Sequence, residues 1–272
     1  MSAILKVAET ADRLGFRSLV ARAASLAYPR QQFEADSDGR WVNCQAEATF
    51  VSPTLHTADY TQIEASVLEN WAWEYIPKVG DTVIDVGAGI GEETVVFSRL
   101  VGPHGHVISI EAHPETFACL QGTIDRSELR NVTAVNCAIA DRDGELFMSA
   151  GPSHLGPSHL MNTVLNGAGG TRVVARTLDS LTAELGLDGV DLLKMNIEGA
   201  EKMAVEGFDR LAPHVRHAAI SCHDFVATHF GGAAHYFTRN HVRAALEARG
   251  FTVRCRPDAA ESWVRDYLYA SR

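Results

Sequence analysis

The sequence has few cysteines, and no two of them are closely spaced. Five Cys residues occur among 272 residues, and there is no CxxC motif. An odd number of widely spaced cysteines argues against a disulfide framework and against a zinc-finger site. This usage of cysteine is typical of a protein in a reducing cytoplasm, and we therefore expect a cytoplasmic location.

Long apolar runs and an excess of positive charge are also missing. No run approaches the roughly 18 apolar residues that a membrane span needs, so we expect none. Residues 1–16 carry four charged side chains and no uninterrupted apolar stretch, which argues against a signal peptide. Lys and Arg number 24 against 34 Asp and Glu, a net charge of −10. Because phosphate backbones repel an acidic chain on average, we predict no nucleic-acid partner.

What the chain has is an ordinary apolar content and an alternating pattern. Apolar residues make up 46% of the chain, enough for a sizeable core. Short apolar runs alternate with helical patterns and predict strands at 81–87, 106–111, 132–140, 171–176, 190–197, 215–222, 251–256 and 263–270. The helical patterns lie at 92–101, 114–124, 178–185, 199–211 and 239–250. This alternation predicts an α/β fold in which a doubly wound, mostly parallel sheet has helices on both faces.

The first 59 residues follow no such pattern. Apolar spacing predicts one or two helices over residues 2–28, packed on the main domain, and a dimerisation arm or a membrane-surface helix is the weaker alternative. Residues 29–60 are predicted to be irregular, with a short strand near 41–43. We therefore divide the chain into a helical and irregular extension, 1–59, and a domain, 60–272, that begins with a helix at 61–75. The repeat GPSHLGPSHL at 151–160 predicts a loop, and the oligomeric state stays open.

A glycine-rich turn between the first strand of the domain and its helix is the strongest local signal. Its sequence is DVGAGIG, from Asp85 to Gly91, and Glu111 follows 20 residues after Gly91 at the end of the next strand. A carboxylate in that place can accept both hydroxyls of a ribose. The spacing GxGxG departs from the GxGxxG of dinucleotide sites, and Asp85 suits an ammonium group better than a pyrophosphate. These residues favour S-adenosylmethionine, with a nicotinamide dinucleotide as the alternative.

Several further motifs follow in series. The stretches are VGDTVIDVGAGIGEETVVFSRLV, HVISIEAHPETFACL, NVTAVNCAIADRDGE, VVARTLDSL, LLKMNIEGAE and ISCHDF. In order and spacing, over about residues 60–269, they resemble the FkbM-type S-adenosylmethionine-dependent methyltransferases. The resemblance implies a class I methyltransferase fold, which is Rossmann-like and has a seven-stranded sheet with one antiparallel strand. Members of this family methylate hydroxyl oxygens on sugars and polyketides.

The resemblance also implies roles for individual residues of the cofactor site. Asp85, Gly87 and Gly89 would line the methionine part of S-adenosylmethionine, and Glu111 would hold the ribose. The residues near the adenine would be Asn136, Cys137 and Ala138, at the end of the third strand.

Two strand ends deliver polar groups for catalysis. A hydroxyl is a weak nucleophile, so a general base or a metal ion is expected. His223 is the best base because histidine titrates near neutral pH, and it follows a strand and precedes Asp224. Glu198 would position the acceptor or bind a metal, and a helix-capping role for it is an alternative. Asn196 stands where the family usually has Asp.

A magnesium site is one hypothesis for the same strand ends. Glu198 and Asp224 should come from neighbouring strands, and Asn196 could add a neutral oxygen to an Mg²⁺ shell. The alternative is that Glu198 caps a helix and Asp224 is solvated, with no metal present.

Taken together, the residues and the resemblance predict an S-adenosylmethionine-dependent O-methyltransferase that acts on a hydroxyl of a small molecule or glycan. A nicotinamide-dependent oxidoreductase is the first alternative. The second is a non-catalytic module that keeps the cofactor pocket, an idea to which Asn196 gives some support.

Overall fold

The computed structural model of the protein describes residues 16–150, 162–165, 170–230 and 234–272. The predicted loop at 151–160 and the first part of the predicted N-terminal helix lie outside these residues. Within them, the elements in chain order are α1 (Arg17–Ala27), β1 (Gln32–Ala35), β2 (Trp41–Cys44), β3 (Thr49–Ser52), α2 (Tyr60–Ser66), β4 (Thr82–Val86), α3 (Glu92–Val101), β5 (His106–Ile110), α4 (Pro114–Arg126), β6 (Val132–Val135), β7 (Ala138–Ile139), β8 (Gly144–Ala150), β9 (Asn162–Leu165), β10 (Thr171–Arg176), α5 (Leu178–Glu184), β11 (Val190–Met195), α6 (Glu201–Glu206), β12 (Val215–Ser221), α7 (Asp224–Phe230), α8 (Arg239–Ala248), β13 (Thr252–Arg254) and β14 (Tyr267–Ser271).

A seven-stranded sheet forms the centre of the fold. Its strands lie in the order β13, β14, β12, β11, β4, β5, β6. Neighbours run parallel, except that β14 is antiparallel to both β12 and β13. The predicted mostly parallel sheet with one antiparallel strand is therefore confirmed, and it is the sheet expected of a class I methyltransferase. The order of strands along the chain reverses between β4 and β11, where ligands bind in open α/β sheets.

The apolar strands are explained by burial on both faces of this sheet. In β4, Val83 packs with Val95 and Phe97 on one face, whereas Ile84 packs with Leu193 and other apolar residues on the other face. Successive side chains of a strand point to opposite faces, so a strand covered on both sides must be apolar at nearly every position. A charged residue inside such a strand is therefore conspicuous.

Two smaller sheets were not predicted. β1, β2 and β3 form an antiparallel sheet in the segment expected to be irregular, and β7, β10, β8 and β9 form a four-stranded sheet. The predicted strand 132–140 is in fact two strands, because β7 leaves the central sheet and pairs with β10. These strands are only two to seven residues long. Too few residues alternate in such short strands for a pattern to be recognised, and their pairing depends on distant segments.

The first of these sheets packs directly against the main domain. The backbone N–H of Val51 in β3 donates to Thr123 Oγ1 in α4 at 3.0 Å, and that of Thr49 donates to Ser127 Oγ at 2.9 Å. Val51 and Val42 also cluster with Ile90 of the glycine turn. These contacts join residues on the two sides of the predicted domain boundary at residue 60, and that boundary stays a prediction.

Three predicted elements differ in their bounds. The predicted helix 61–75 ends as a π-helical turn, Val67–Trp71, and α6 is shorter than predicted. The last strand begins at Tyr267, because residues Trp263–Asp266 form a 3₁₀ turn. In the part of the chain that the structure describes, no helix is both long and apolar enough to cross a membrane.

Candidate active site

A cleft of about 240 Å³ lies at the carboxyl ends of β4, β5 and β11. The glycine turn and the start of α3, the end of β5, the segment around β7 and the end of β11 form its walls. The lining residues are Val86, Gly87, Ala88, Gly89, Ile90, Glu92, Glu93, Ile110, Glu111, Ala112, Cys137, Ala138, Ile139, Met148, Asn196, Ile197, Glu198 and Ala200. The place agrees with the reversal of strand order between β4 and β11.

The glycine turn contacts both the protein and the cleft. At Gly87 φ is +76°, and a Cβ would lie 1.9 Å from the carbonyl oxygen of Asn196 at the end of β11. At Gly89 φ is +56°, but a Cβ would have no atom within 4 Å, so this position faces open space. Gly87 is thus required for packing and Gly89 for the left-handed backbone. Both residues line the cleft.

Glu111 lies where β5 ends, with its carboxylate beside the glycine turn. One oxygen, Oε2, accepts the N–H of Gly89 at 3.0 Å, and Oε1 accepts the N–H of His113 at 2.9 Å. The residue is 8% exposed. Burial raises the pKa of Glu111 to about 7, although the two backbone donors act in the opposite direction. Each oxygen keeps a second lone pair for a ligand.

The predicted adenine side is mostly apolar. Cys137 and Ala138 line the cleft together with Ile139 and Met148. Asn136 is exposed and is not among the lining residues, and its side-chain N–H groups donate to the carbonyl oxygens of Glu111 and Ala112. Asn136 therefore braces the loop that carries Glu111. Met148 was missed because it comes from β8, a strand that the sequence did not reveal.

Asp85 is fully buried beneath the cleft. It has no exposed surface and is not among the lining residues. Its Oδ1 accepts from Lys194 Nζ at 2.8 Å, and its Oδ2 accepts from Thr94 Oγ1 at 2.8 Å. The role predicted for Asp85 at the methionine end of the cofactor is therefore not supported by this arrangement, because both oxygens are held inside the protein.

Lys194, the partner of Asp85, was not predicted from the sequence. Its ammonium also donates to the carbonyl oxygen of Gly87 at 3.1 Å and lies 5.0 Å from the ring centre of Trp71. Burial alone would lower the pKa of Lys194, but the charges of Asp85 and Glu93 outweigh burial and raise it. Lys194 is therefore charged at neutral pH. A lysine inside the apolar run of β11 was the available signal, since β11 is covered on both faces.

Two glutamates begin α3 and face two cavities. Glu92 and Glu93 line the cleft and also a second cavity of about 260 Å³, whose other lining residues are Ala58, Gln62, Ile63, Ser66 and Val67. Burial raises the pKa of Glu93, whose Oε2 lies 4.0 Å from Lys194 Nζ. Burial acts in the same direction on Glu92, but His56 Nε2, 3.2 Å from Glu92 Oε1, lowers the pKa of Glu92 overall.

His223 follows β12, as predicted, and both of its ring nitrogens face carboxylates. Nδ1 is 2.7 Å from Glu201 Oε1, and Nε2 is 3.3 Å from Glu198 Oε2. The residue is 2% exposed and is not among the lining residues. Burial alone would lower the pKa of His223, but the two carboxylates raise it well above the ordinary value. The role of His223 as general base stays a prediction; if both ring nitrogens carry protons between the two carboxylates, the ring has no free lone pair to accept another.

Glu198 and Glu201 differ in what they face. Glu198 lines the cleft and has a left-handed backbone, with φ at +52°, which is uncommon for a residue other than glycine. Glu201 is fully buried, and its Oε1 also accepts the N–H of Gly199 at 3.1 Å. His223 lowers the pKa of Glu201 although burial acts in the opposite direction. Glu201 belongs to the motif LLKMNIEGAE, but no role was predicted for it.

The predicted magnesium ligands are not brought together. β11 and β12 are neighbours, as expected, and Asn196 and Glu198 both line the cleft. Asp224, however, accepts the N–H groups of Thr238 and Arg239 at 2.9 and 3.0 Å, at the start of α8. Over residues 16–150, 162–165, 170–230 and 234–272, no group of three His, Cys, Asp or Glu side chains is placed to hold a metal ion. The hypothesis of Mg²⁺ is therefore not supported.

A family model and several known methyltransferases match parts of the chain. The family model of the methyltransferase FkbM domain matches residues 85–253, more than half of the chain. A protein-L-isoaspartate O-methyltransferase of Methanothrix thermoacetophila is 39% identical over 56 residues, which are 21% of this chain and 27% of that protein. Methyltransferase 1 of Beauveria bassiana is 24% identical over 145 residues, and the match covers 47% of this chain. The chain thus spans 58% of that relative's length and far less of the first one.

Among solved structures, the methyltransferase FkbM from Methylobacillus flagellatus KT is similar to this chain. The TM-score is 0.48 at 18% sequence identity. The match covers 70% of this chain and 43% of that one.

Proposed function

Because the chain belongs to the methyltransferase FkbM family, we propose that it transfers the methyl group of S-adenosylmethionine to a hydroxyl oxygen of a small molecule or glycan. The observation that carries this proposal is the carboxylate of Glu111 beside the N–H of Gly89, in a cleft at the point where the strand order reverses. A carboxylate at this position can accept the two hydroxyls of a ribose, as a nucleoside cofactor requires.

The residues of the cleft fit the parts of this cofactor. Glu111 would hold the ribose, and Cys137 and Ala138, with the apolar side chains of Ile139 and Met148, would contact the adenine. Gly87 and Gly89 would let the backbone approach the methionine part. When bound, S-adenosylmethionine supplies an electrophilic methyl group on a positively charged sulfur.

The ammonium of the methionine part needs an anion other than Asp85. Glu92 and Glu93 line the cleft at the start of α3, whereas Asp85 is sealed against Lys194. Since Glu93 Oε2 is 4.0 Å from Lys194 Nζ, outside hydrogen-bond distance, it keeps the capacity to accept from a ligand. We assign the ammonium to Glu93, with Glu92 beside it.

The acceptor would lie over the end of β11. Asn196 and Glu198 present polar groups to the cleft there, next to the glycine turn. In-line transfer requires the acceptor oxygen, the methyl carbon and the sulfur to be aligned, and positioning supplies much of the rate. Polar groups at the end of β11 can orient a hydroxyl, which supports O-methylation.

Two measurements test this function. Calorimetry with S-adenosylmethionine and with NAD should show binding of the first, and exclusive binding of NAD would favour the oxidoreductase. Incubation with methyl-labelled S-adenosylmethionine and a metabolite extract should then give labelled product and S-adenosylhomocysteine, both identified by mass spectrometry. Binding of the cofactor without release of S-adenosylhomocysteine would point to the non-catalytic module.

A cytoplasmic location remains part of the proposal. All five cysteines are free thiols, and three of them are buried. Free thiols of this kind are typical of a reducing compartment.

A further inference from the structure

The ionic cluster of Glu198, His223 and Glu201 contains one more carboxylate than cation. His223 lies between the two glutamates, with Nδ1 at 2.7 Å from Glu201 and Nε2 at 3.3 Å from Glu198. The contact with Glu201 is a hydrogen bond and that with Glu198 is an ionic contact, and a ring that serves both carboxylates carries a proton on each nitrogen. With the ring protonated on both nitrogens and both glutamates ionised, the cluster would carry one negative charge.

Only one glutamate of the cluster lines the cleft. Glu198 lines the cleft, whereas Glu201 has no exposed surface and is not among the lining residues. Apart from its ionic contact with His223, Glu198 Oε2 has no hydrogen-bond partner in the described part of the chain. Because Oε2 is buried against His223, the other oxygen, Oε1, is the one left to meet an acceptor in the cleft that Glu198 lines.

The backbone around Glu198 is held in an uncommon conformation. Its φ of +52° is in the left-handed region, where a residue with a side chain is normally strained. Glu201 Oε1 accepts the N–H of Gly199, the next residue, and the same oxygen accepts from His223 Nδ1. One buried carboxylate therefore fixes both the imidazole ring and the chain that carries Glu198.

We propose that Glu198 is the general base of the methyl transfer, and that His223 and Glu201 are positioning residues that orient it; the inference rests on the function proposed above. The acceptor oxygen forms a bond to the methyl carbon while the carbon–sulfur bond breaks. The bonding electron pair goes to sulfur, which becomes the neutral thioether of S-adenosylhomocysteine. The hydroxyl proton goes to the carboxylate of Glu198.

Glutamine variants separate this assignment from a histidine base. In His223→Gln, the amide nitrogen can still donate to Glu198, but an amide takes up no proton at neutral pH. If Glu198 is the base, His223→Gln should keep kcat within about tenfold, whereas Glu198→Gln should lose on the order of 10²–10⁴-fold. If His223 were the base, His223→Gln would be as inactive as His223→Ala.

The assay uses methyl-labelled S-adenosylmethionine and the metabolite extract in which the wild-type chain labels a product. Failure of the wild-type chain to label anything would count against the proposed function, before any variant is compared. Each variant is checked for an unchanged Tm and an unchanged Kd for S-adenosylmethionine. A kcat of Glu198→Gln within a few-fold of wild type, or equal losses in Glu198→Gln and His223→Gln, would overturn the proposal.

Glu201 supplies a matched pair of variants. Glu201→Gln keeps an acceptor oxygen for His223 Nδ1 and for the N–H of Gly199, whereas Glu201→Ala removes it. We expect Glu201→Ala to lower kcat at least tenfold with KM nearly unchanged, and Glu201→Gln to restore most of the loss. Equal kcat in the two variants would show that Glu201 does not position the base.

A measurement on the unmodified chain keeps the test independent of folding and of the acceptor. In ¹⁵N-histidine-labelled protein, the ring of His223, assigned with His223→Gln, should carry a proton on both nitrogens at neutral pH. A single ring proton would leave a free lone pair on His223 and would overturn its role as a double donor.

Discussion

Two buried ionic clusters flank the same cleft, and they differ in how their charges are balanced. In the first, which we call the sealed pair, Lys194 and Asp85 lie opposite each other on β11 and β4, and both have no exposed side-chain surface. In the second, the open cluster of Glu198, His223 and Glu201, two carboxylates face one imidazole and one of them reaches the cleft. The difference is that Glu198 of the open cluster lines the cleft, whereas neither member of the sealed pair does.

The same edge of the sheet can therefore hold an ion pair that stabilises the fold and a cluster that contacts a substrate. The sealed pair satisfies its own charges and, through the hydrogen bond from Lys194 to the carbonyl oxygen of Gly87, also holds the glycine turn. The open cluster leaves an acceptor where a substrate would lie. A buried charge that is fully paired has nothing left to offer a ligand, so position beside a cleft does not by itself indicate a catalytic role.

The largest effect on stability should come from breaking the sealed pair. Lys194→Met leaves Asp85 buried without a cation, and we expect a loss of about 3–5 kcal/mol in the free energy of unfolding. Denaturant titration measures it. The double variant with Asp85→Asn removes the stranded charge and should recover part of the loss. A cost below about 1 kcal/mol for Lys194→Met would show that the pair is not sealed in solution.

The next effect concerns cofactor affinity at Glu111. Glu111→Ala should weaken binding of S-adenosylmethionine by about 1.5–3 kcal/mol, the scale of hydrogen bonds to a charged group. Calorimetry measures the change, with Tm as the control for folding. Unchanged affinity in a folded variant would mean that the ribose lies elsewhere.

The contribution of Glu111 to the stability of the fold should also depend on pH, because its carboxylate is buried and, within the described residues, forms no ion pair with a cation. Its pKa in the folded protein is about 7, above the ordinary 4.5. The folded state therefore binds this proton more tightly, so the contribution of the group is fully present below pH 4.5 and is lost as pH rises through 7. We expect the free energy of unfolding of the wild type, relative to Glu111→Gln, to fall over this interval. A difference that is constant with pH would contradict the raised pKa.

A smaller effect is expected at Glu93, which lies between the sealed pair and the cleft. Glu93→Gln should weaken the binding of S-adenosylmethionine by about 1 kcal/mol. The effect is small because the carboxylate is partly exposed to solvent, which weakens its ion pair with the ammonium group. Binding of 5′-methylthioadenosine, which lacks the amino-acid end, should not change. If both ligands lose affinity equally, Glu93 does not contact the ammonium.

The smallest effect should come from an ion pair whose two side chains are mostly exposed. Arg172 and Glu145 pair at 3.0 Å on β10 and β8, with side chains 66% and 56% exposed. Arg172→Ala should change the free energy of unfolding by less than about 0.5 kcal/mol in the same denaturant titration. A loss as large as that of Lys194→Met would mean that burial does not distinguish the two pairs.

The sequence by itself determined the features that depend on near neighbours in the chain. The alternation of apolar runs and helical patterns predicted the seven strands of the central sheet, because the runs of its inner strands are buried on both faces. The eighth predicted strand, 171–176, is β10 of the four-stranded sheet. The spacing of Gly87, Gly89 and Glu111 predicted a nucleoside site, because a turn and the end of the next strand are a short distance apart in any such sheet. The places of Asn196 and Glu198 beside the cleft followed from the same geometry, whereas those of Cys137 and Ala138 followed from the resemblance to the family.

Only the tertiary structure decided which polar groups meet. Asp85 was expected to face a ligand, but the register of β4 and β11 sets Lys194 against it. Asp224 was expected beside Glu198, but the backbone N–H groups at the start of α8 hold its carboxylate. His223 was predicted as a base from its place after β12, but only the fold sets Glu201 and Glu198 against its two ring nitrogens. The small sheet of β1–β3 likewise depends on α4, through hydroxyls more than 70 residues away. A polar side chain can form hydrogen bonds or ion pairs with several kinds of group, and long-range packing decides which of them lies next to it. An apolar side chain needs only to be buried, so its pattern along the chain is enough to predict its place.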